Sequence, residues 1–138
     1  MTRAGGRMIL PNLATRDLER AKRFFGELGF ELDPRFTDEN AAAMVVNDQA
    51  VVMLLREEFF SSFTSKEVVD STRQIETMIA LSAESREDVD AFYDKALALG
   101  ASPAGDPTEM DFMYARSFLD PDGHHWEVFW IDPEALES

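Results

Sequence analysis

The sequence contains no cysteine among its 138 residues. This absence excludes disulfide bonds, thiolate metal ligands and a cysteine nucleophile. Any chemistry must therefore use histidine, carboxylate or hydroxyl side chains, or a bound cofactor.

Cationic residues are scarce, because 13 Lys and Arg stand against 27 Asp and Glu, a formal net charge of -14. Such a charge repels nucleic-acid phosphates and anionic lipids, so we expect neither nucleic acid nor a membrane as a partner. Long apolar runs are also lacking. The run at residues 8–10 stops at Pro11, too short for a signal sequence or a membrane span, and predicts a cytoplasmic protein.

What the chain does have is an internal repeat of element order. The first half predicts a strand over 8–14, then an amphipathic helix with Thr15 as its N-cap and Gly29 as the left-handed residue at its end. Two β-rich runs, "AAAMVV" and "AVVMLL", follow. A further β segment fits residues 31–36.

The second half repeats this order. "MIALS" reads as a strand, Ser85 and Asp88 resemble a capping box, and Gly100 ends the next predicted helix. A further β segment fits residues 102–108, and "DPDG" predicts a hairpin turn between two strands, with Gly123 at positive φ.

Residues 57–76 match neither template. A connection of this length is often a lid or a partner-contacting segment. The alternative is a surface helix or loop anchored by phenylalanines, and the candidates are Phe59, Phe60 and Phe63. These aromatic side chains could also cap a cup-shaped site or pack against a second chain in a dimer interface.

The repeat, "RDLERAKRFFGELGF" and above all "FLDPDGHHWEVFW" resemble the vicinal oxygen chelate superfamily of glyoxalases, bleomycin and fosfomycin resistance proteins and extradiol dioxygenases. The nearest likeness is to small bacterial proteins labelled predicted lactoylglutathione lyases. The resemblance implies an α+β fold in which two paired βαβββ modules form a curled mixed β-sheet cup with helices outside. It also implies one domain over 1–138, with modules at about 8–56 and 77–131 joined by 57–76, and a homodimer.

Members with metal-dependent activity carry four metal ligands, one on the first and one on the last strand of each module. Matched residue by residue, these positions are Leu10, Met53, Met78 and Glu127. Only Glu127 is an oxygen or nitrogen donor, and divalent metals need several such ligands. We therefore expect no metal and no other cofactor, although a divalent metal centred on Glu127 stays an alternative.

Strand alternation predicts which other side chains share the cup. His125 and Phe129 point with Glu127, and Asn12 points with Leu10. Tyr114 and Arg116 are further candidate ligand contacts, or else form aromatic packing and a structural ion pair. Without a metal, Glu127 and His125 would be the general base and acid of any reaction.

These observations favour a protein that binds a small organic molecule in an apolar cup without a complete metal site. The alternative is an enzyme, a glyoxalase I-like lyase or another isomerase or oxygenase, centred on Glu127. A module with a filled core is a third possibility. Family resemblance alone does not establish lyase activity.

Overall fold

The computed structural model describes residues 6–136, and the chain divides into two compact units between Val68 and Val69. Each unit contains one mixed β-sheet and carries the predicted order of strand, helix and further strands. The predicted α+β class is therefore confirmed. No helix within the described residues is long and apolar enough to cross a membrane.

The first unit is a four-stranded sheet in the order β1-β4-β3-β2, in which β1 pairs parallel to β4. Its elements are β1 (Asn12–Thr15), α1 (Leu18–Leu28), β2 (Glu31–Leu32), β3 (Ala41–Asn47), β4 (Ala50–Arg56) and α2 (Glu57–Ser61). A short 3-10 turn, Pro34–Phe36, joins β2 to β3. Helix α1 buries the apolar stripe that its spacing predicts, Leu18, Ala21, Phe25 and Leu28, together with Phe24, and it contacts β3 and β4.

The N-cap of α1 is Asp17, so the prediction of Thr15 was wrong. The Asp17 Oδ1 accepts a hydrogen bond from the backbone N–H of Arg20 at 3.0 Å. Thr15 remains in β1 because the parallel pairing continues to Thr15 opposite Arg56. Gly29, at φ 123°, ends the helix as predicted.

The second unit is a five-stranded sheet in the order β5-β9-β8-β6, with β7 also paired to β8. Its elements are β5 (Met78–Ser82), α3 (Arg86–Ala98), β6 (Ser102–Pro103), β7 (Thr108–Met110), β8 (Met113–Leu119), β9 (His125–Ile131) and a 3-10 turn, Pro133–Leu136. The Ser85 Oγ accepts from the Asp88 N–H at 3.0 Å, as the capping box predicts. Helix α3 covers β8 and β9, and Trp126 and Val128 are buried.

The "DPDG" turn is organised by the buried carboxylate of Asp120. Its Oδ1 accepts from the backbone N–H groups of Asp122 at 2.9 Å and His124 at 3.0 Å, and its Oδ2 accepts from the Trp126 Nε1–H at 2.9 Å. Burial raises the pKa of the Asp120 carboxyl. One side chain thus joins the turn to the largest side chain of the core.

Replacing Asp120 with Ala should lower the free energy of unfolding by about 3 kcal/mol, because three buried or half-buried donors lose their acceptor. Urea denaturation measures the change. Asp106→Ala is the matched control, since Asp106 is an exposed loop residue. An equal loss in both variants would contradict the role assigned to Asp120.

Gly123 is required in this turn for two reasons. Its φ is 90°, and a Cβ built on it would stand 2.5 Å from the carbonyl oxygen of Ser71. The Ser71 Oγ also donates to the Asp122 carbonyl at 2.7 Å, so residues 71–72 pack directly on the hairpin.

Gly123→Ala should therefore destabilise the protein more than Gly100→Ala. Gly100 also has a positive φ, 115°, but a Cβ there would meet nothing within 4 Å. The control should lose about 1–2 kcal/mol from backbone strain, and Gly123→Ala about 2 kcal/mol more from displacing the Ser71 segment. Equal unfolding midpoints in urea would show that the close approach at Ser71 has no energetic consequence.

Candidate functional site

A cavity of about 540 Å³ lies in the first unit, on the sheet face opposite α1. Its sheet-side lining is Asn12, Ala41, Met53 and Leu55, and its other wall is Phe59, Phe60, Phe63 and Thr64. The pairing of the strands explains the first group. Asn12 stands opposite Met53, and Ala41 stands opposite Leu55, so all four side chains share one face.

The second wall comes from the start of residues 57–76, the segment that matches neither half of the sequence repeat. Helix α2 begins immediately after β4 and is only five residues long. Phe59 and Phe63 form an edge-to-face pair with ring centroids 5.1 Å apart and planes at 83°. Phe60 and Thr64 complete the wall, and Phe63 is 70% exposed. The start of residues 57–76 therefore forms part of a cavity.

The polar groups of the cavity are few. Asn12 donates one amide hydrogen to the Leu10 carbonyl at 3.0 Å, and its Oδ1 has no hydrogen-bond partner among residues 6–136. Thr64 accepts through Oγ1 from the Lys66 N–H at 3.1 Å. None of the eight lining residues is ionisable.

Two sequence-predicted residues, Asn12 and Met53, line this cavity, whereas Leu10 does not. Leu10 precedes β1 and is 45% exposed. Among the residues that the sequence argument missed, Ala41 could have been found by pairing "AAAMVV" with "AVVMLL" in register. No local signal identifies Thr64.

In the second unit, the sheet face opposite α3 carries the other predicted group. Met78 stands opposite His125, and Ala80 stands opposite Glu127. With Phe129 two residues further along β9, the predicted residues share one face, as strand parity required. The side chains of His125 and Glu127 are half-buried and have no hydrogen bond or ion pair with another described residue.

Tyr114 and Arg116 lie on the other face of this sheet. Arg116 stands opposite Val128, whereas Ser117 stands opposite Glu127, so the structure does not bring Arg116 to Glu127. The hydroxyl of Tyr114 donates to Asp90 Oδ1 at 2.6 Å, which raises the pKa of Tyr114.

The guanidinium of Arg116 lies 3.4 Å from the same Asp90 oxygen and 3.8 Å from the centroid of the Tyr93 ring. Tyr114 and Arg116 therefore make the aromatic packing and ion pair that the sequence offered as the alternative to ligand contacts. Both side chains join α3 to β8, so neither belongs to the surface that carries Glu127.

The residues present do not fit the metal that the superfamily resemblance implies. Within the described part of the chain, no three His, Asp or Glu side chains form a group that could hold a metal ion. Glu127 has His125 on its own face, but the strand positions matched to ligands in the first unit carry leucine and methionine. A thioether is a poor ligand for the divalent ions concerned.

Comparison with known proteins places the chain among related folds. Residues 8–128 match the family model described as the Glyoxalase/Bleomycin resistance protein/Dioxygenase superfamily. No protein among curated sequences matches significantly.

Solved structures agree with the family match. A hypothetical protein from S. aureus is 26% identical with a TM-score of 0.76, over 88% of this chain and 91% of that one. A glyoxalase/bleomycin resistance protein/dioxygenase family enzyme from Burkholderia phytofirmans PsJN is 17% identical with a TM-score of 0.75, over 91% and 99%. A fosfomycin resistance protein from Mesorhizobium loti is 15% identical with a TM-score of 0.67, over 99% and 100%.

Metal titration should produce no saturable stabilisation of the chelator-treated protein. Ni, Zn, Mn, Fe(II) and Co are added separately, and unfolding temperature is followed. A resident ion at about 100 times its dissociation constant would add roughly 2.7 kcal/mol, a shift of several degrees. A saturable shift that disappears in Glu127→Gln would contradict the conclusion that the residues present do not fit a metal ion. Metal analysis of the purified protein provides an independent check.

Proposed function

Because the chain belongs to the glyoxalase/bleomycin resistance protein/dioxygenase superfamily, we propose that it binds a small, largely apolar organic molecule without a metal ion. The binding site is the cavity of the first unit. The observation that supports this proposal is a cavity of about 540 Å³ whose lining has six apolar side chains and two polar ones.

The size and composition of the cavity suit a ligand. Small-molecule sites have volumes of roughly 300–1,000 Å³, with mostly apolar walls and a few polar groups that orient the ligand. Binding would remove ligand and wall surface from water, a gain of about 25 cal/mol per Å² of apolar area. Met53 is unbranched and polarisable, so it can adapt to ligands of different shape.

An acid-base enzyme is the second candidate. It is favoured by Glu127 and His125, two half-buried titratable side chains on one face of β9. In that case Glu127 would act as the base and His125 as the acid on a bound substrate. A lactoylglutathione lyase-like activity would belong to this candidate. A homodimer and a cytoplasmic location stay predictions from the sequence.

Filling the cavity should weaken binding. The neutral fluorescent probe N-phenyl-1-naphthylamine is titrated into the wild type, Met53→Trp and Met110→Trp. The larger indole at position 53 should weaken binding by about tenfold or more, equivalent to about 1.4 kcal/mol. Met110 is exposed on β7 and outside the cavity, so Met110→Trp should bind like the wild type.

If Met53→Trp binds the probe as tightly as the wild type, the ligand does not bind in the cavity of the first unit. Thermal denaturation shows whether Met53→Trp and Met110→Trp are folded. Chemical conversion of a bound compound that is lost in Glu127→Gln would favour the enzyme candidate instead. Conversion that persists in Glu127→Gln would remove that carboxylate from the reaction.

A further inference from the structure

We infer that the cavity of the first unit selects an uncharged aromatic molecule carrying one hydrogen-bond donor. The ring would lie among the phenylalanines, and the donor would bond to Asn12 Oδ1. This inference rests on the proposed function and specifies the ligand class for the same cavity.

The aromatic preference follows from the second wall. Three of the eight lining residues are phenylalanines, and Phe59 and Phe63 are already arranged edge to face. The exposed Phe63 ring leaves aromatic surface available for a further ring. Ring pairs gain more than their buried area alone, because the positive edge of one ring meets the negative face of another. The thioether of Met53 also makes favourable contacts with aromatic rings.

The preference for an uncharged ligand follows from the electrostatics of the lining. None of the eight lining side chains carries a charge that could pair with an ionic group. A ligand charge placed against this lining would lose water without gaining a charged partner, which disfavours it. Anions face a second penalty, because the chain has a formal net charge of -14.

The hydrogen-bond requirement follows from Asn12. Its amide nitrogen already donates to the Leu10 carbonyl, which orients the side chain, while Oδ1 has no partner among the described residues. Asn12 is exposed, so Oδ1 is accessible and can accept a hydrogen bond from a donor on the ligand. The Thr64 hydroxyl accepts from Lys66 N–H, so its own hydrogen remains available for a ligand acceptor. A hydroxyl on an aromatic ring supplies the donor that Asn12 Oδ1 can accept.

The test uses four probes of similar size, measured by competition with N-phenyl-1-naphthylamine. The probes are 2-naphthol, 2-methoxynaphthalene, 2-naphthoate and decahydro-2-naphthol. The methoxy compound lacks the donor, the naphthoate is an anion, and the decahydro compound lacks aromaticity. We expect 2-naphthol to bind most tightly, by roughly 2- to 12-fold over the methoxy compound, the range of one hydrogen bond.

Matched variants assign each preference to a side chain. Asn12→Ala should weaken 2-naphthol by roughly 2- to 12-fold and leave 2-methoxynaphthalene unchanged, with Asn47→Ala as control on β3. Phe63→Leu should weaken 2-naphthol more than decahydro-2-naphthol. Phe36→Leu is its control, because Phe36 is an exposed phenylalanine of the same unit outside the cavity.

The outcomes separate this inference from the proposed function. If no probe competes and N-phenyl-1-naphthylamine itself does not bind, the proposed function fails. If the probes compete but 2-naphthoate or decahydro-2-naphthol binds as tightly as 2-naphthol, the cavity binds ligands and the inferred class is wrong. Equal weakening of 2-naphthol and 2-methoxynaphthalene in Asn12→Ala would overturn the donor requirement.

Discussion

Each unit depends on the parallel pairing of its first strand with its last, because that pairing determines which side chains share a face. In the first unit Asn12 stands opposite Met53, and in the second Ala80 stands opposite Glu127. Since the side-chain period of a strand is two, a slip of one residue would move each set to the helix-covered face. Helices α1 and α3 oppose such a slip, because each buries an apolar stripe against its own sheet.

The two units use this common frame differently. The last strand of the second unit retains the carboxylate of Glu127, whereas the first unit has Met53 at the corresponding position. A methionine offers an adaptable apolar side chain at a position where the superfamily resemblance implies a metal ligand. The first unit also has α2 and the turn after it, whose phenylalanines form a wall beside Met53. The apolar cavity of the first unit thus forms where Met53 and the phenylalanines of the connecting segment meet.

The second unit shows why polar residues near a suspected site need contacts before they receive a role. Tyr114 and Arg116 lie in sequence close to Glu127, and both carry groups that bind ligands in many proteins. Their partner is Asp90 on α3, and the Arg116 guanidinium stacks on Tyr93. Asp120 is another case, because its carboxylate organises the turn and the core rather than a reaction. Burial, parity and hydrogen bonds separate these structural groups from the free acceptor of Asn12.

The sequence by itself determined the repeated order of elements, the parity of β9 and the hairpin at "DPDG", since these follow from local periodicity and turn chemistry. Its strand parity and its superfamily resemblance also pointed to Asn12 and Met53, two of the residues that line the cavity. The N-cap of α1 depended on how far β1 continued along β4, which is a long-range pairing. Only the tertiary structure placed Phe59, Phe60, Phe63 and Thr64 against the sheet, because an aperiodic segment carries no pattern that specifies its packing partner. Its position is decided by the apolar surface that β1, β3 and β4 leave opposite α1.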